Sequence, residues 1–76
     1  MKKTIYKPKY ESVVKKLKEV RLQLGMKQET VAEALGKYQS YVSKVESGDR
    51  RIDVIELLEF AKLYKKDIKF FINEAI

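Results

Sequence analysis

Residues 28–48 read QETVAEALGKYQSYVSKVESG. Val31, Ala32 and Leu35 fall on one side of a helix over Gln28–Leu35, and the spacing marks that side as inward. Gly36 breaks this helix. Val42 and Val45 then mark the inner face of a second helix over Gln39–Ser47, which Gly48 closes. So short a turn brings the two helices into a close crossing. Ala32 supplies a small side chain where a larger one would push the axes apart. Gly36, four residues later, takes a positive φ at no steric cost. The outer side of the second helix carries Gln39, Ser40, Ser43 and Lys44. Such a strip is either an ordinary solvated face or a surface built to touch something polar.

The flanking segments read in the same way. Upstream, Val13, Val14, Leu17, Val20 and Leu24 recur at steps of three and four, predicting a helix from about Tyr10 to Leu24 that Gly25 ends. Downstream, GDRRID over 48–53 is a polar loop, and Asp53 is the expected N-cap of a fourth helix. Val54, Leu57, Leu58, Ala61 and Tyr64 form the expected apolar stripe of that helix, and Lys65 and Lys66 sit at its negative C-terminal end. Asp67 is placed to cap a last short helix with Ile68, Phe71, Ile72 and Ala75 inward. No segment alternates with period two, so the fold class is all-α with about five short helices. The opening MKKTIYKPKY reads as an extended basic arm over residues 1–9, with Pro8 ending any regular structure before the first helix. Residues 10–76 make the domain.

A chain of 76 residues suits one small domain, and 45% apolar content is enough for a core. Cysteine and histidine are both absent. That excludes disulfides and thiolate metal sites, and removes the usual general base and the commonest metal ligand. No metal, cofactor or enzymatic activity is expected. Glu29 and Glu33 lie one turn apart, a commonplace spacing on an exposed helix face. No apolar run approaches the roughly 20 residues that cross a bilayer, and no signal-peptide core appears, so a cytoplasmic protein is expected. The net charge is +6, and residues 1–27 hold nine of the 17 Lys and Arg against only Glu11 and Glu19. A basic surplus suits a polyanion, because lysines displace condensed counterions from phosphates; a lysine-rich solubility surface is the plainer alternative.

The stretches VRLQLGMKQETVAEALG, QSYVSKVESG and LLEFAKLYKKDIKFFI, in that order, resemble the Cro- and phage-repressor-like helix-turn-helix family, also called the XRE family. The resemblance runs from about Leu17 to Ile72. It implies a lambda-repressor-like five-helix domain that binds double-stranded DNA as a dimeric transcription regulator. Carried over residue by residue, it implies that Gln39, Ser40, Ser43 and Lys44 meet base edges in the major groove. Gln28, Lys27, Tyr41, Arg21, Arg50 and Arg51 become candidates for phosphate contacts. Gln28 is also a candidate to brace Gln39, and Tyr41 either reaches a phosphate or a thymine methyl, or packs beside Val45. Arg21 and Glu46 match an inner ion pair of the family. Two positions depart from the family pattern: Lys27 and Tyr38 stand where a capping Ser or Thr is usual. Phe70 and Ile76 add apolar surface beyond one inward stripe, which suggests a homodimer interface and a palindromic operator. The competing expectation is an antitoxin that masks a protein partner and binds its own operator secondarily.

Overall fold

The computed structural model describes residues 7–73, which form five helices: α1 (Lys7–Gln23), α2 (Gln28–Leu35), α3 (Gln39–Ser47), α4 (Val54–Tyr64) and α5 (Ile68–Ile72). Among the described residues there is no strand. The bounds of α2 and α3 coincide with those the apolar spacing predicts. The turns between helices follow from glycine: Gly25, Gly36 and Gly48 all adopt positive φ, at 69°, 72° and 87°. The Gly36 amide donates back to the Glu33 carbonyl and the Lys37 amide to that of Ala32, satisfying the end of α2 before the chain turns into α3.

One core unites the helices. Leu17 and Val20 from α1, Val31 and Ala32 from α2, Val42 and Val45 from α3, Leu57, Phe60, Ala61 and Tyr64 from α4, and Phe71 from α5 are all buried. Burying a side chain the size of leucine or phenylalanine stabilises by roughly 1.5–3 kcal/mol, so this cluster is the main force holding α3 against α1 and α2. The small Ala32 is almost fully buried in this core.

Three expectations are corrected. Helix α1 starts at Lys7, not near Tyr10, so Lys7, Pro8 and Lys9 belong to it rather than to an arm. Proline in the first turn loses no hydrogen bond, because N–H groups there have no helical acceptor. At the other end Leu24 is half exposed, and Met26 packs against the core instead, after its amide has closed the turn on the Arg21 carbonyl. On α4 the inward stripe is Leu57, Phe60, Ala61 and Tyr64, while Val54 and Leu58 face outward. Around the helix axis Leu57, Phe60, Ala61 and Tyr64 together span an arc of about 100°, and Leu58 falls outside it. Residues 1–6, Ala75 and Ile76 lie outside the described residues.

Candidate nucleic-acid interface

Helix α3 presents Gln39, Ser40, Ser43 and Lys44 to solvent, all four exposed, while Val42 and Val45 on the opposite side are fully buried. The helical period brings the four polar residues onto one face about a turn and a half long. At the head of this face Tyr38, in extended conformation, offers no side-chain hydrogen bond to the helix, and the residue is 86% exposed. The start of α2 is alike: Lys27 is extended, exposed and gives no capping bond. By contrast Asp53 caps α4 in a reciprocal box with Glu56, and the Asp67 carboxylate accepts from the Lys69 amide at the start of α5. The two helices flanking the tight turn therefore keep backbone N–H groups without a side-chain acceptor, at the positive ends of their dipoles. Anions are favoured at such helix starts.

The orientation of α3 is fixed from beneath by one carboxylate. Glu46 accepts from Arg21 Nε at 2.7 Å through Oε2, from Arg21 Nη2 at 2.9 Å through Oε1, and from Gln28 Nε2 at 3.0 Å. Arg21 Nη1 donates to the Met26 carbonyl at 2.9 Å. These residues tie α1, α2 and α3 together, with the Arg21 and Glu46 side chains only 9% and 4% exposed. The hydrogen bonds to Glu46 hold the Arg21 guanidinium above the ordinary arginine range, against the opposing effect of burial. Arg21 is buried, with each of its three nitrogens donating inside the protein. Likewise the amide of Gln28, half-buried, turns to Glu46 and not to Gln39. The Tyr64 hydroxyl is buried near this cluster without a hydrogen-bond partner, and burial, then the Glu46 charge, push it well above the ordinary phenol range.

Beyond α3 the loop 48–53 is held by rings. Tyr41 is half-buried, stacked on Phe60 with ring centroids 6.1 Å apart and planes at 11°. The Lys37 ammonium and the Arg50 guanidinium lie 5.2 Å and 4.8 Å from its centroid. Burial, followed by the Glu56 carboxylate, pushes its hydroxyl up to about 12. Arg50 also pairs with Glu56 at 3.1 Å. Arg51 sits 4.4 Å over the ring of Tyr10, whose hydroxyl accepts from the Ile52 amide at 3.2 Å. The sequence offers no signal for this last contact, because Tyr10 and the loop are some 40 residues apart. Phe60 as the support of Tyr41 is also missed, since periodicity alone puts Leu58 in its place.

Of the two residues expected at a dimer interface, Phe70 is 38% exposed, edge-on to Phe71 and overlain by the Lys16 and Lys66 ammonium groups at 5.1 Å and 4.8 Å; Ile76 lies outside the described residues. More apolar surface is open on α4, where Val54, Ile55 and Leu58 are exposed together. Among the described residues, no helix is long and apolar enough to cross a membrane.

Compared with known proteins, the chain matches the helix-turn-helix family model over residues 17–71. That span takes in the Arg21–Glu46 brace, the whole of α2 and α3, and the loop that follows. No curated protein matches the chain.

Proposed function

The chain belongs to the XRE helix-turn-helix family of DNA-binding proteins, and on that premise we propose that it is a sequence-specific transcription regulator that reads the major groove of double-stranded DNA with α3. The observation that carries this reading is the outer face of α3, with four exposed polar side chains on a helix whose tilt is fixed by a buried ion pair. Gln39 has the donor–acceptor pair that matches adenine N6 and N7. Lys44 can donate to guanine O6 and N7, and Ser40 and Ser43 can serve either base. Lys27, the open N–H groups at the starts of α2 and α3, and the loop arginines Arg50 and Arg51 hold phosphates, fixing register without reading sequence. Tyr41 contributes through Arg50, which rests on its ring. The protein acts in the cytoplasm as a binding protein, not as an enzyme, and needs no cofactor.

The working form is a homodimer on a palindromic operator, with two copies of α3 set about 34 Å apart, one turn of DNA. Phe70 is the proposed contact between copies. A second reading, an antitoxin that masks a protein partner, draws on the exposed Val54, Ile55 and Leu58 of α4, a surface that DNA reading leaves unused. Stable co-purification with a toxin whose binding Ile55→Lys abolishes would favour it.

Selection of bound duplexes from a random DNA pool tests the main reading. Gln39→Ala should relax preference at one base position, where a good bidentate pair is worth about 1–3 kcal/mol of discrimination. Arg51→Ala should weaken every sequence alike and lower the salt slope of binding by about one. Identical selection profiles and salt slopes in the two variants would refute this division of labour.

A further inference from the structure

Tyr10 lies near the start of α1, outside the helix pair and outside the residues that the family model matches. Its hydroxyl nevertheless reaches the α3–α4 loop twice, accepting from the Ile52 amide at 3.2 Å and donating to the Arg50 carbonyl at 3.4 Å. Its ring carries the Arg51 guanidinium at 4.4 Å. One side chain thus holds the backbone on both sides of Arg51 and the side chain of Arg51 itself. We propose that Tyr10 is a positioning residue for DNA binding, which fixes the loop so that Arg51 faces a phosphate before DNA arrives. The proposal rests on the DNA-binding reading above and assigns part of its affinity to a residue beyond the helix-turn-helix.

The mode of holding matters. Arg50 is paired with the Glu56 carboxylate, so much of its charge is already offset. Arg51 is held by a neutral ring, which restrains its rotamers and leaves its charge available to a phosphate. Arg51 remains exposed on that ring, so the restraint does not bury the cation. A side chain and loop already ordered in the free protein lose less conformational freedom on binding, and that saving appears as affinity. Because the saving concerns a backbone contact, it is the same for every DNA sequence.

Tyr10→Phe is the test, because it keeps the ring under Arg51 and removes only the hydroxyl. Two quantities are measured: exchange of the Ile52 amide hydrogen in the free protein, and affinity for the selected duplex and for a random duplex, each with Arg51 intact and with Arg51→Ala. Ile52 exchange should accelerate while helix content is unchanged. Affinity should fall about three- to tenfold, the scale of partly ordering one residue of loop backbone, and equally on both duplexes. In the Arg51→Ala background the same change should cost less than about twofold, since the group it positions is gone. Tyr10→Leu, which removes the ring as well, should lose more. Equal losses in both backgrounds, a changed ratio between the duplexes, or unaltered Ile52 exchange would each overturn the role of Tyr10 while leaving the DNA-binding reading intact. If the native protein binds neither duplex at low salt, that reading fails first and the proposal falls with it.

Discussion

Replacing Glu46 by alanine removes the acceptor of three hydrogen bonds, two from Arg21 and one from Gln28, and strands a buried guanidinium. Breaking a buried pair from one side typically costs about 3–5 kcal/mol, because the remaining charge is neither paired nor well hydrated. Here Arg21 keeps its bond to the Met26 carbonyl and a little exposure, which places the expected loss near the low end, about 3 kcal/mol. At roughly 0.05–0.15 kcal/mol per residue, a domain of this size has only about 4–11 kcal/mol in total, so the change is a large fraction of it. With a Tm response of about 4–8 °C per kcal/mol, the transition should fall by about 12–24 °C. Urea unfolding followed by circular dichroism measures the free energy, and DNA titration well below the new Tm measures whether α3 has also lost its tilt. The double variant Arg21→Met with Glu46→Leu removes both charges together. Having no stranded charge, it should recover most of the lost stability. A Glu46→Ala protein within about 0.5 kcal/mol of native would show that the pair contributes no more than an ordinary surface contact, and the brace would be refuted.

Lys65 closes α4 with a φ of 58°, the only residue other than glycine with positive φ among the described residues. A left-handed conformation costs a side-chain-bearing residue about 1–2 kcal/mol, part of which glycine returns through its freer unfolded chain. Lys65→Gly should therefore raise stability by about 0.5–1 kcal/mol in the same urea titration, and a loss would contradict the assigned strain. The Glu56 carboxyl is held below its ordinary value of 4.5, first by the Asp53 amide and then by Arg50. The unfolded chain thus binds more protons over that interval. The contribution of Glu56 is present above pH 4.5 and is lost as pH falls through the lower folded value. Stability measured against pH should show a shallower acid limb in Glu56→Gln than in native protein; equal limbs would mean that other carboxylates carry the acid response.

The helices were legible because their signals are local. A glycine or a capping aspartate acts within one turn, and an apolar stripe repeats within three or four residues. Such signals locate α2 and α3 and identify Asp53 and Asp67 as caps. The same locality explains the errors at α1 and α4. Pro8 punctuates a helix in mid-sequence terms but is tolerated in a first turn, and only the structure shows on which side of Pro8 the helix begins. Leu58 and Phe60 are equally apolar, and which one enters the core depends on where α4 meets its neighbours.

The polar strip of Gln39, Ser40, Ser43 and Lys44 was likewise fixed by the sequence, because burying Val42 and Val45 forces those four to the opposite side of a rigid helix. What the strip rests on was decided by tertiary structure. The inner pair of Arg21 and Glu46 was expected from the resemblance, but the convergence of three helices on Glu46, with Gln28 turned to the same carboxylate instead of to Gln39, is set by how those helices pack. The clamp of Tyr10 on the loop depends on a contact between residues far apart in the chain, set by how α1 lies across the end of α3. Side-chain periodicity records which face of an element avoids water, but it holds no information about which distant element will meet that face, and that choice is made by the packing of the whole core.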